Sequence, residues 1–334
     1  MNFKRFFAVV KARNIEFFRD KSSLGWNLVF PILMLVGLSF VFSGDGRSAY
    51  KVGVIELPSS QSSFLETRFI DFVDYQELAK AKTKLEQHSI DFIVNFKQQQ
   101  YWVNEGSPNS YLVEKIFLGQ HTNFARLQTH GEKVRYVDWV LPGILGMNMM
   151  FSCLFGVGYV IVRYRKNSVL KRLKATPLSA FEFVSAQLIS RLFIVMFMSS
   201  VVYTGCNFLF DFYMLGSYVD LFIIGLLGAF SLITLGLLVA SRSKSEELVG
   251  GLLNVTSWPM MILSGVWFSL EGAPEGIKML GDFLPLTHLV AGARKIITEG
   301  ASLSDISYHV WVLVAMSTIF LALGSYLFSW NAER

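Results

Sequence analysis

An α-helical polytopic membrane protein, with six transmembrane helices and a small α/β extracytoplasmic domain between the first two, is the fold class this sequence predicts. Three observations predict it. The 334 residues are 52% hydrophobic and only 16% charged, with a mean hydropathy of +0.44, a balance that an ordinary water-soluble domain could not hide from solvent. Uncharged runs of the length needed to cross roughly 30 Å of hydrocarbon recur along the chain. Between the first and second of these runs, residues 43–138 switch to soluble composition with acids and bases almost balanced, which is compatible with passage across the membrane.

Residues 1–23 come first. Phe3, Phe6, Phe7, Val10, Phe17 and Phe18 recur near helical spacing among Lys4, Arg5, Lys11, Arg13 and Arg19, a pattern suited to a helix lying in the cytoplasmic interface. A plain surface helix is the alternative. The stretch is not read as a cleavable signal peptide, because the apolar run after it is too long for one and ends without a small-residue cleavage site. That run, residues 24–42, is the first span, and Pro31 within it is tolerable where neighbouring helices satisfy the freed carbonyl.

In the domain at 43–138, Tyr50 to Ile55 alternates like a strand, Tyr75 to His88 reads as helix, and Asp91 to Phe96 and Tyr101 to Asn104 read as strands. Asn109 to Gln128 reads as a second helix. Pro58-Ser59-Ser60 and Gly106-Ser107-Pro108 are turns. Cys153 and Cys206 both fall inside predicted spans, so this domain has no thiol for a disulfide and its fold must rest on packing.

The remaining residues, 139–330, predict a five-helix transmembrane domain. Its spans are Trp139 to Val162, Leu192 to Phe210, Val219 to Ala240, Leu248 to Phe268 and Val310 to Trp330, with a cytoplasmic tail at 331–334. Arg191 lies near the cytoplasmic end of the third span, where a long side chain can reach the headgroups. The segment 163–183 holds Arg163, Arg165, Lys166, Lys171, Arg172 and Lys174 and no acid before Glu182, which pins it to the cytoplasm. It is suited either to a docking helix at the membrane face or to a plain stop-transfer loop. Residues 269–309 are too apolar for a simple loop and too broken by Gly272, Pro274, Gly276, Gly281 and Pro285 for a span. Short re-entrant helices in the outer leaflet are expected there.

The formal net charge of +5 sits in cytoplasmic segments and reads as topology and lipid attraction, not nucleic-acid binding. No phosphate-binding loop, H-E-x-x-H or G-x-S-x-G motif is present, and His88, His121, His130, His288 and His309 show no metal-ligand spacing. An enzyme is not expected. Buried charge is almost absent from the spans, which disfavours an ion-coupled carrier. The second span offers Asn148 and Phe151 beside several methionines, and the fifth offers Asn254, Thr256 and Met260. Adaptable thioethers and scattered amides suit a bulky amphipathic substrate, although ordinary helix packing uses the same residues.

Three stretches carry a family resemblance. KARNIEFFRDKSSLGWNLVFPILML (Lys11 to Leu35), KRLKATPLSAFEF (Lys171 to Phe183) and FLPLTHLVAGARKIITEG (Phe283 to Gly300) resemble, in order, the approach to the first span, the coupling segment and the outer re-entrant stretch of type 2 ABC transporter permeases. The outer domain looks like the version in bacterial multidrug-type permeases. The resemblance implies a permease subunit of an ABC exporter in the bacterial inner membrane, with both termini cytoplasmic. It implies a second permease copy or homologue and a separate ABC ATPase that holds ATP and Mg, so that this chain has no cofactor of its own. Membrane lipids are further partners, a periplasmic adaptor is one the outer domain would allow, and the cargo would be a lipophilic or amphipathic drug or lipid. ATPase coupling is carried over to Arg163, Lys171, Arg172, Leu173, Thr176, Pro177 and Phe181. The substrate path is carried over to Asn148, Phe151, Asn254, Thr256 and Met260, between two copies. The rival is a non-transporting receptor or mechanical signal-transmitting protein whose outer domain binds an envelope partner.

Overall fold

The structure is a computed structural model that describes residues 3–41, 50–55, 63–121, 123–131, 135–176, 179–241, 245–270 and 274–328. It divides into two compact units, residues 39–136 and the remainder of the chain.

The helical unit begins with α1 (Phe3–Arg19) and α2 (Lys21–Val41), bent by 60° at the break between them. Pro31 is accommodated inside α2. The face of α1 bearing Phe6, Arg13 and Asn14 packs on the protein, while Phe3 and Phe7 are exposed, so the helix is amphipathic as its aromatic spacing indicates.

The second unit is a five-stranded sheet of order β2-β1-β3-β4-β5, built from β1 (Tyr50–Ile55), β2 (Ile70–Asp74), α3 (Leu78–Glu86), β3 (Phe92–Asn95), β4 (Gln100–Asn104), α4 (Pro108–Leu118) and β5 (Ala125–Thr129). Only the β3–β4 pair is antiparallel. Its tight connection holds because the Asn95 side-chain oxygen accepts from the Lys97 and Gln98 amides at 3.0 and 2.9 Å. Strands alternate between two apolar layers. Val52, Val54, Phe92, Tyr101 and Val103 pack with Phe64 and with Val113 and Phe117 of α4, while Ile55, Ile93 and Trp102 pack against Ala81 and Leu85 of α3.

Two sequence expectations are corrected in this unit. The helix expected over Asn109 to Gln128 stops at Leu118, and Ala125–Thr129 pairs with β4 instead, a local helical pattern overridden by parallel edge pairing. The short edge strand Ile70–Asp74 was not foreseen, because a five-residue run beside β1 has little periodicity to display.

Tyr101 supplies a pH test of this core. Its hydroxyl donates to Glu114 Oε1 at 3.0 Å, an oxygen that also accepts from Arg126 Nε at 2.7 Å. Burial, and then the hydrogen bond and charge of Glu114, push the phenol up to about 12. The folded state therefore favours the neutral phenol. Its stabilisation is complete below pH 10 and is lost as pH rises from about 10 to about 12, on the order of 2 kcal/mol in all. Spectrophotometric titration of Tyr101→Phe against wild type should remove one phenol that titrates near 12.

The helical unit resumes with α5 (Tyr136–Lys166), α6 (Val169–Lys174), α7 (Ala180–Phe210), α8 (Tyr218–Ala240), α9 (Glu246–Leu263), α10 (Glu275–Asp282), α11 (Pro285–Glu299) and α12 (Ser307–Leu327). Glycines let α5 sit at the centre: Gly146 faces Leu286 and Val290 of α11, Gly158 faces Leu253 of α9, and Gly236 of α8 faces the backbone of Leu154. Met147, Met150, Leu154, Leu232, Leu237 and Leu289 fill the core between them.

Among the described residues, α5, α7, α8 and α12 are long and apolar enough to cross a membrane, and the bent α1–α2 pair makes a fifth if it is one span. The bounds of the span expected over Leu248 to Phe268 are corrected: α9 runs Glu246–Leu263 and ends there, because Gly265 at φ +65° takes the left-handed turn that breaks the helix. Residues 269–309 contain two short helices, α10 and α11, not one long one. His288 Nε2 meets the Asp282 carbonyl at 2.8 Å and its Nδ1 meets His309 Nδ1 at 3.0 Å, so both rings serve helix packing. The expected tail 331–334 lies outside the described residues.

Candidate functional site

The basic segment after α5 separates into residues that hold the fold and residues left at the surface. Arg165 is buried, and its guanidinium donates to the carbonyls of Ala240 and Ser241 at 3.3 and 2.9 Å, capping the end of α8. Lys166 lies 3.8 Å from Glu246 at the start of α9. Ser168 turns the chain at φ 56°, and α6 follows with Leu170 fully buried and Leu173 packed against the same core. Lys171, Arg172 and Thr176 are exposed, and the Thr176 hydroxyl donates to the Leu173 carbonyl at 2.6 Å. Ser179 and Glu182 then form a reciprocal capping box that starts α7. Pro177 lies outside the described residues; Phe181 is the second residue of α7, and its side chain is not described.

A cleft of about 530 Å³ opens between the α1–α2 bend, α5 and α7. Asn27 of α2 and Ser152 of α5 meet across it, with the Ser152 hydroxyl donating to Asn27 Oδ1 at 2.8 Å, and Asn148 Nδ2 reaches the Asn27 carbonyl at 3.4 Å. Phe151, Phe155, Phe17, Phe30 and Trp26 supply aromatic walls. Nearer the end of α1, Arg13 donates to Glu16 at 2.5 Å and to the Tyr164 hydroxyl at 3.0 Å, and that hydroxyl donates to Glu16 at 2.8 Å.

Arg191 corrects an expectation. It lies eleven residues into α7, about 16 Å from Ala180 at 1.5 Å per residue, and its side chain turns toward Ser152 of α5. It is 9% exposed, its Nη2 donates to the Ser152 carbonyl and, at 3.0 Å, to the Ser152 hydroxyl, and its guanidinium lies 5.7 Å from the Phe17 ring centre. The spans are thus not free of buried charge. An Arg at the centre of a membrane helix costs about 2.5–3.5 kcal/mol on insertion scales, and a cation buried inside a helix bundle that spans a membrane is usually kept for function. Sequence offered one signal for it, a lone Arg well inside a long apolar helix, which the shorter expected span beginning at Leu192 concealed.

The structure brings Asn148, Phe151 and Arg163 to this cleft. It does not bring Asn254, Thr256 and Met260 there: Met260 is fully buried in the helical core, and Asn254 lies on α9, with its amide bonded to the Gly250 carbonyl at 2.8 Å. A second cavity of about 380 Å³, more apolar, lies between α5, α7, α8 and α11, with Tyr203, Asn207 and Met149 in its wall. Among the described residues no three His, Cys, Asp or Glu side chains gather as metal ligands.

Long apolar helices with a short basic helix between two of them, and a cleft among the helices, mark a multi-pass membrane protein. The model of the ABC-2 family transporter proteins matches residues 21–326, and the chain belongs to that family. Similar curated proteins include YvfS of Bacillus subtilis (strain 168), provisionally named a transport permease, 24% identical over 54% of this chain and 72% of its own length. The linearmycin resistance permease protein LnrN of the same organism is 25% identical over 54% of this chain and 47% of its length. YbhR of Escherichia coli (strain K12), provisionally named a multidrug ABC transporter permease, is 20% identical over 54% of this chain and 50% of its length. The chain thus spans about half of the latter two.

Proposed function

We propose that this ABC permease subunit exports a lipophilic or amphipathic compound, a drug or a lipid, across the bacterial inner membrane, driven by ATP hydrolysed on a separate subunit. The observation that supports this reading most is the cleft of about 530 Å³, lined by aromatic rings and by the amides and hydroxyl of Asn27, Asn148 and Ser152, inside a membrane helix bundle. Resistance and multidrug functions in the names of relatives point the same way. Two copies, or this chain and a homologue, form the complete permease, with Asn254 and Thr256 of α9 facing the second copy. ATP and Mg²⁺ belong to the partner ATPase, which docks on the exposed Lys171–Arg172 surface of α6. The test is reconstitution with the ATPase in vesicles loaded with a lipophilic dye: ATP-dependent dye loss is expected. Ion flux stoichiometric with ATP turnover and no movement of a hydrophobic compound would refute it.

The proposed topology has six spans, with α9 among them, both termini in the cytoplasm and residues 43–138 outside. Single cysteines in a background lacking Cys153 and Cys206 test it. Positions 98 and 300 should react with membrane-impermeant reagent in intact cells, and positions 167 and 243 should react only after permeabilisation. Labelling of position 167 from outside would invert the arrangement.

A further inference from the structure

We infer that the cleft between the α1–α2 bend and α5 binds a single-chain amphiphile with an anionic headgroup, a phosphate monoester or a carboxylate, through Arg191 and Arg163. As a statement about cargo it rests on the export reading; as a statement about binding it stands alone. Arg191 is the centre of the argument. Its guanidinium is more than nine-tenths buried and lines the cleft, its Nε has no hydrogen-bond partner, and its Nη2 is satisfied only by Ser152. No carboxylate among the described residues pairs with it. A buried guanidinium left without a counter-charge is a site prepared for an anion.

The backbone makes room for that guanidinium. Gly156 of α5 lies against it so closely that any Cβ would overlap Cζ, Nη2 and Nε. Arg163, two turns further along α5, adds an exposed cation to the cleft. Of the cleft's two acids, Glu16 is already engaged by Arg13 and the Tyr164 hydroxyl, and Asp20 sits at the α1–α2 break. Three arginines therefore face two acids, and the deepest arginine has neither acid for a partner. Beside the charge, Trp26, Phe30, Phe151 and Phe155 give the apolar wall that a hydrocarbon or aryl tail requires. About 530 Å³ suits one drug-sized ligand, and a two-chain phospholipid exceeds it.

The experiment is a scintillation-proximity titration of the purified full chain in neutral maltoside detergent, with tritiated dodecyl phosphate as probe and no ATPase present. Saturable binding is expected. Unlabelled dodecanol, which has the chain without the charge, and inorganic phosphate, which has the charge without the chain, should each compete at least about tenfold more weakly than dodecyl phosphate. Arg191→Gln should weaken binding by about tenfold or more, and Arg191→Lys should recover part of it. Gly156→Ala, which displaces the guanidinium and leaves the charge in place, should also weaken binding. Wild-type affinity in Arg191→Gln, or equal competition by dodecanol, would overturn the anion site; tighter competition by phosphatidylglycerol would overturn the single-chain ligand. If Arg191→Gln is not monodisperse, Gly156→Ala decides, and wild-type affinity there would also overturn the proposal. Because no transport is read, absent binding leaves export standing, and failed export beside intact binding leaves this site standing.

Discussion

Reversing Arg172 to Glu is expected to abolish stable co-purification with the partner ATPase while leaving the permease inserted and folded. Arg172 is exposed on α6, and the helix that presents it is anchored from behind by Leu170, which is fully buried. Substitution at the outer face therefore changes the surface and not the anchor. Inverting a charge in a buried interface pair costs about 2–5 kcal/mol, and a rim-exposed pair costs much less. Arg163, Arg165, Lys166, Lys171 and Lys174 still carry the positive charge that orients the segment in the proposed topology. The measurement is ATPase co-purification and substrate-stimulated turnover at matched expression. Leu173→Ala is the informative companion. Leu173 packs on the permease's own core, so its truncation should loosen α6 and lower turnover through placement of the helix, with charge unchanged. Wild-type values for both variants would reduce the segment to a stop-transfer loop and withdraw the coupling role.

Phe117→Ala is expected to be the most destabilising single truncation in the α/β unit, by about 3–5 kcal/mol. Phe117 is fully buried, with the rings of Phe64, Phe92, Tyr101 and Phe124 all within 5.6 Å of its own, so deletion opens a cavity on which four aromatic neighbours cannot all close. No disulfide compensates, since both cysteines lie in the helical unit. Hydrogen exchange of the full chain reads the effect: protection of β3 and β4 amides should fall by the corresponding factor while the amides of α8 keep theirs. Unchanged protection in β3 and β4 would mean that the aromatic cluster does not carry the unit.

Much of the helical unit was legible because hydrocarbon thickness imposes a length and backbone hydrogen bonding imposes a helix. Val219 to Ala240, free of proline and of charge beyond Asp220, coincides with α8 to within a residue. Leu248 to Phe268 does not coincide with α9, because the stop is a left-handed turn at Gly265 inside an apolar run, where composition marks no boundary. In the α/β unit the strand at Tyr50 to Ile55 was read in full from its alternation. The edge strand Ala125–Thr129 was not, since Ala-Arg-Leu-Gln favours helix until β4 offers its hydrogen bonds.

The candidate site divides the same way. Sequence singles out Lys171 and Arg172 as part of a basic segment and Asn148 and Phe151 as part of a long apolar run, because charge bias and hydropathy act on each stretch independently of its neighbours. Sequence by itself therefore determined the membrane class, the inserted domain and the family. Only the tertiary structure decided which cations are spent on the fold. Arg165 caps α8, whereas Arg191 enters the cleft beside Gly156 with Nε unpartnered. Their difference lies in which carbonyls and which empty Cβ position a distant helix sets opposite them, and that is settled by packing across the bundle, not by any local pattern of residues.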